Sequence, residues 1–205
     1  MTHSLSGPYR FATYAGIAIG AWILIGVVRQ FDAPTDGNTL RVHGILDELG
    51  HLLTALMIAM GIKALRFPVP VWSILIGGVL LDVGHLMLQL DFTEPIEGSS
   101  RNGTHSVFAL ILLACIGFFD QRRANVWLGV TLGALSHLWR DMGTGNVPLV
   151  WPFLENVDGT TFARYMIGLL GATIAMIGSG ALLEVYANAN TFDERQSTEE
   201  ARQQE

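Results

Sequence analysis

Six apolar stretches, separated by short polar breaks, set the plan of the chain. The first, Phe11–Val28, is apolar throughout. At about 1.5 Å per residue it is long enough to cross most of a bilayer core about 30 Å thick. A signal peptide is the competing reading. The run is long, however, and no small-x-small cleavage site follows it, so it reads as an anchor and first span. The others are His51–Leu65, Val69–Leu90, Ser106–Phe119, Ala124–Trp139 and Tyr165–Tyr186. The second, fourth and fifth are nearer the length of buried helices than of spans. Flanked by longer neighbours, they read as short or tilted spans whose ends sink below the surface. The expected fold is an all-α, polytopic membrane bundle of about six transmembrane helices over residues 1–187. A tail from Asn188 to Glu205, rich in Asp, Glu, Arg and Gln, is expected to be disordered and cytoplasmic.

Composition strengthens the membrane reading. Half of the residues are hydrophobic and only 15% are charged, against about a quarter charged in an ordinary soluble domain. Cys115 is the single cysteine, which excludes an internal disulfide and a cysteine-type zinc site. A net charge of −6 with no basic stripe argues against nucleic acid as a bulk partner. The basic residues give an orientation. With the N-terminus inside, Arg10, Lys63, Arg66, Arg122, Arg123, Arg195 and Arg202 face the cytoplasm, and Arg29, Arg41, Arg101, Arg140 and Arg164 lie outside. The short basic turns Lys63–Phe67 and Gln121–Arg123 are of the cytoplasmic type. Both termini are therefore expected to be cytoplasmic.

That topology gathers the ionisable residues into one layer near the extracytoplasmic face. Glu48 and His51 open the second helix, three apart and so on one face. Asp82 and His85 sit in the outer half of the third with the same spacing. His105 opens the fourth helix, just after Arg101, and His137 and Asp141 close the fifth, four apart. Bland alternatives exist for each. Glu48 can be a carboxylate favoured by a helix N-terminus, a lone terminal histidine is often only interfacial, and Arg140 can be a snorkelling arginine. Asp82 is harder to dismiss, because a carboxylate inside an apolar span costs about 2.5–3.5 kcal/mol without a partner or a task. If its helix ran to Leu90, Asp82 would lie about 12 Å below the helix end while His105 sat at the surface. Either the third helix ends early or the site is recessed, and the short neighbouring helices favour a recess.

Histidine and carboxylate ligands without cysteine suit zinc, and also manganese or iron. The candidate ligands His51, Asp82, His85, His105, His137 and Asp141, with Glu48 beside them, exceed one tetrahedral site, so one or two divalent cations are possible. Two would activate a water and stabilise the leaving oxygen of a phosphoester. Arg101 and Arg140 could hold phosphate oxygens, and Trp151 lies at headgroup level in a loop that could gate entry.

The segments Leu81-Asp82-Val83-Gly84-His85, Ser100-Arg101-Asn102-Gly103-Thr104-His105-Ser106, Gly133–His137 with Asp141, and Val147–Phe153 come in an order that resembles the YdjM-like family. The resemblance covers roughly residues 48–153. It implies an inner-membrane-associated, metal-dependent hydrolase (one member binds LexA), distantly related to the helical zinc-dependent phospholipases C and single-strand nucleases. The chain departs from that pattern twice: Gly84 stands where the family has a second Asp, and Ser100 where it has a His. Two potential ligands are therefore missing, and Glu48 is placed to compensate.

The expectation is a membrane-bound hydrolase acting on a phosphoester, lipid or other interfacial substrate, with Glu48 as general base and Arg101 beside the reacting group. Arg140 and Trp151 would contact the substrate. The alternatives are a transporter, which would require polar residues continuing to the inner face, and a regulatory or metal-binding protein with a degenerate site.

Overall fold

The computed structural model describes residues 7–31, 40–83, 104–145, 147–150, 153 and 157–203, with side chains placed for residues 9–31, 44–83 and onward to 191 within those ranges. Among the described residues there are six α-helices: α1 (Gly7–Phe31), α2 (Leu40–Ala64), α3 (Val71–Leu80), α4 (Val107–Phe119), α5 (Ala124–Thr144) and α6 (Phe162–Gln203). One 3₁₀ turn, Gln121–Arg123, joins α4 to α5. The β pairing seen among them is an isolated bridge between Val147 and Val157. The protein is an all-α bundle. Three helical stretches, Tyr9–Phe31, Gly44–Ala64 and Phe162–Thr191, are long and apolar enough to cross a membrane, while α3 and α4 are shorter apolar helices.

The central element is α2, which packs against α1, α3, α5 and α6. Its buried face supplies Ala55, Met57 and Ala59, and these meet Ile25 of α1, Ile74 of α3 and Tyr165 and Leu169 of α6 in the main core. The outward faces of α1, α4 and α6 carry Ile23, Leu24, Ile111, Leu112, Ile167 and Leu182 in the open. Helices apolar on both faces suit hydrocarbon surroundings rather than water. The tightest seam joins α3 to α5 through glycines. A Cβ on Gly77 would lie 2.1 Å from the Val130 carbonyl oxygen, and one on Gly133 would lie 2.0 Å from that of Ile74. Small residues at such a crossing let backbones approach as close as membrane helices ever do.

Three expectations need correction. The second helix is not short: it begins at Leu40, so Glu48 and His51 lie two to three turns inside it rather than at its opening. The apolar pattern fades there because Arg41, Asp47 and Glu48 interrupt it, but tertiary packing continues the helix. The third helix ends at Leu80, and Leu81 and Asp82 form a turn, so the early-ending reading of that segment is the right one. The tail expected to be disordered from Asn188 continues α6 to Gln203, in keeping with the good helix propensity of its Glu, Gln, Arg and Ala residues.

At one end of the bundle Glu184 of α6 bonds to Arg10 of α1 and, at 3.1 Å, to Arg66 in the turn after α2. The His and Asp residues converge towards the other.

Candidate metal centre

Four elements bring the polar residues together at one level. His51 on α2, His137 on α5 and His105 just before α4 each stand about 20 Å along their helices from the Arg66 end, taking about 1.5 Å per residue. Asp82 reaches the same level because the short α3 delivers its turn there.

The three imidazoles are wholly buried, and Asp82 and Asp141 are each 4% exposed. Their ligand atoms face one another. His137 Nε2 lies 3.3 Å from Asp141 Oδ2, 3.6 Å from Asp82 Oδ2 and 3.3 Å from His105 Nε2. His51 Nε2 is 3.4 Å from Asp141 Oδ1 and 3.7 Å from Asp82 Oδ2. His105 Nε2 is 2.8 Å from Asp82 Oδ1 and 3.6 Å from Asp141 Oδ2. The His51 and His137 rings stack with centroids 3.7 Å apart.

These separations suit a cation. Ligands about 2.0–2.2 Å from a tetrahedral zinc are about 3.3–3.6 Å from one another, close to most of the edges measured here. Both ring nitrogens of His51 and Oδ2 of Asp141 are buried without a hydrogen-bond partner, a state that calls for an ion or water. The supporting contacts have the form that metal sites use. His137 donates Nδ1–H to the Gly78 carbonyl at 2.8 Å, which leaves Nε2 as the free electron pair. His105 pairs Nδ1 with Thr104 Oγ1 at 2.9 Å, again turning Nε2 inward. Ser106 caps α4 through the Ala109 amide, and Val107 N–H donates to the Leu149 carbonyl at 2.9 Å. The Val147–Leu149 segment, anchored on Leu81 and Leu138, thus fixes the stretch that carries His105. The residues present could hold a metal ion, in overlapping sets: His51, His137 and Asp141; Asp82, His105 and His137; and Asp47, His51 and Asp82.

A family profile described as YdjM inner membrane protein matches residues 46–198. The chain belongs to the YdjM inner membrane protein family. No curated protein and no solved structure matches it. All the ligand candidates just described fall within the part of the chain matched to the YdjM family.

Glu48 is brought to the same place: its carboxyl lies beside Asp82, and its Oε2 is buried without a hydrogen-bond partner. Sitting two turns into α2, it is not a helix-terminal carboxylate. Arg140 is not a snorkelling side chain either. It is 1% exposed, and its Nη2 donates to Asp47 Oδ1 at 2.8 Å. His85, Arg101 and Trp151 lie outside the described residues, as do Gly84 and Ser100. Sequence reasoning passed over Asp47, whose Oδ2 is 3.8 Å from His51 Nε2. The signal was available, since Asp47 and His51 are four apart, but it shows only once α2 is known to start upstream of both. Thr54 and Tyr165, joined by a 2.6 Å hydrogen bond beneath Arg140, were also missed.

Proposed function

We propose that the protein is a membrane-embedded, metal-dependent hydrolase acting on a phosphoester presented at the bilayer interface, with His51, Asp82, His105, His137 and Asp141 as ligands. The observation that carries this reading is the buried convergence of three Nε2 atoms and two carboxylates, with His51 left without a hydrogen-bonding partner. Bound there, a divalent cation, zinc by donor set, would supply Lewis acidity and a water made nucleophilic near neutral pH. Asp82 and Asp141 offset its charge, and Gly78 and Thr104 orient two of the imidazoles. Glu48, with one oxygen buried and unpartnered, is the group placed to accept the proton from water. Arg101 and Trp151 are proposed at the substrate's anionic group and at the interface. Both termini are placed in the cytoplasm and the site towards the opposite face, on the strength of the basic turns at the Arg66 end.

The opposite end favours hydrolysis over transport. Among the described residues its half-buried carboxylate, Glu184, is already bonded to Arg10 and Arg66, whereas a transport path needs polar groups available on both sides of the site. The test is elemental analysis of the detergent-purified chain beside His137→Ala/Asp141→Ala. Near-stoichiometric zinc or manganese in the native protein, lost in the variant, followed by metal-dependent cleavage of a phosphodiester or phospholipid panel, is the expected result. A metal-free native protein, prepared without chelator, would overturn the reading.

A further inference from the structure

Asp47 and Arg140 stand against the wall of the site and do not belong to the ligand set just proposed. Arg140 is the largest fully buried side chain among the described residues. Its guanidinium lies over Gly50 of α2, where a Cβ would come within 2.2 Å of Cζ. The helix therefore offers a notch, and the notch is filled by a cation. One nitrogen, Nη2, holds Asp47 Oδ1, while Nε and Nη1 are buried without hydrogen-bond partners. Asp47 is itself 28% exposed at the side chain, so it forms the rim between the buried arginine and the open side. Its other oxygen faces His51 Nε2 at 3.8 Å and, with His51 and Asp82, forms one of the sets able to ligate an ion.

We propose that Asp47 is a reserve metal ligand restrained by Arg140, and that this pair sets how tightly the site holds its cation. The inference rests on the metal reading above. Its physical basis is charge. Asp82 and Asp141 already offset a divalent ion. Asp47 turned fully inward would add negative charge and a further oxygen, making release slow. Arg140 supplies the compensating positive charge on the far side of Asp47 and holds one of its oxygens in a directed, charge-assisted hydrogen bond. Removing either partner leaves the other buried and uncompensated beside the site, and the two removals act on a cation in opposite directions.

That opposition separates tuning from a merely structural ion pair. Asp47→Asn leaves the arginine charge unopposed near the cation, and affinity for Zn²⁺ and Mn²⁺ falls about 10- to 100-fold, the range usual for groups that orient and bias metal ligands. Arg140→Gln, which keeps donors in the notch but removes the charge, frees Asp47, and affinity rises by about tenfold or more. The double variant returns towards the native value. The measurement is competition of each full-length, detergent-purified protein against a chromophoric chelator, with Zn²⁺ and Mn²⁺ as probes and a melting curve for each variant. Arg140→Lys, which restores charge without the planar fork, is expected to lie between native and Arg140→Gln. Opposite shifts with a near-native double variant support the proposal. Equal weakening in both single variants, following their loss of melting temperature, overturns it and leaves the metal reading intact. No metal binding by the native chain overturns both.

Discussion

The two ends of the bundle handle buried charge in contrasting ways. At one, Glu184 meets Arg10 and Arg66, so a single carboxylate on α6 ties the start of α1 and the turn after α2 to it. The ions come in opposite signs and the protein supplies both. At the other end, Asp82 and Asp141 crowd together with three imidazoles, Glu48 lies beside Asp82, and among the described residues the guanidinium of Arg140 is bonded to Asp47. His51 has no hydrogen-bond partner for either nitrogen. Burying unpaired charge is costly in any protein and more so in hydrocarbon. The first arrangement pairs its carboxylate within the protein, with Nε of Arg10 left unpartnered, whereas the second gathers ligand atoms of a kind that could hold a metal ion. The contrast teaches that a buried polar cluster is read by its imbalance rather than by its size.

The largest test of that contrast is chelation. At a metal concentration about a thousandfold above Kd, binding to the native state alone stabilises by about 4 kcal/mol. Prolonged EDTA treatment is expected to lower the melting temperature of the native protein strongly and to leave that of His137→Ala/Asp141→Ala unmoved. Acidification acts in the same direction, because the imidazoles must be neutral to ligate, so affinity falls as pH falls. Equal chelator sensitivity in the two proteins would show that the cluster balances its own charge.

Next in size is the seam between α3 and α5. Gly133→Ala drives a methyl group to within 2.0 Å of the Ile74 carbonyl oxygen, where backbone must yield, at about 3 kcal/mol. The same movement shifts Gly78, whose carbonyl orients His137. Melting temperature and metal affinity are expected to fall together. Glu184→Gln is smaller and cleaner. It leaves two arginines short of a charge at a site not fully buried, costing about 2 kcal/mol, below the roughly 3–5 kcal/mol of a fully buried pair. Metal affinity should stay native. If it moved, the two ends would be coupled rather than independent.

How much of this was legible beforehand depends on the kind of signal. The spans at α1 and α6 and the pairing of His137 with Asp141 follow from hydropathy and helical spacing, which are local. The start of α2 does not, since Asp47, Glu48 and His51 are polar residues held in a helix by what surrounds them. Asp82 looked like a residue within a span because Leu86–Leu90 continue the apolar pattern; only the backbone reveals the turn at Leu81–Asp82. Histidine and carboxylate types pointed to one layer, but which nitrogen faces inward depends for His137 on the Gly78 carbonyl, on another helix, and for His105 on how its neighbour Thr104 turns its hydroxyl. The Asp47–Arg140 pair spans two helices far apart in sequence and has no local signature beyond the four-residue step to His51.

The smallest expected effect probes how His105 is held. Ser106 begins α4 by accepting from the Ala109 amide at 3.4 Å, and it is fully buried. Loss of such a cap costs about 1 kcal/mol, so Ser106→Ala should lower the melting temperature only slightly. Its consequence for the site is larger than its cost in stability, because the preceding residue is a ligand candidate with no helix of its own to hold it. With the cap gone, one of the contacts that hold the chain at His105 is lost while Val107 N–H to the Leu149 carbonyl remains, and the imidazole gains freedom to swing away from Asp82. Mn²⁺ bound to the variant is therefore expected to give a broader electron paramagnetic resonance signal than in the native protein, at nearly unchanged stability. An unchanged spectrum would mean that the other contacts of this stretch, among them His105 Nδ1 to Thr104 Oγ1 and Val107 N–H to Leu149, position His105 without the cap.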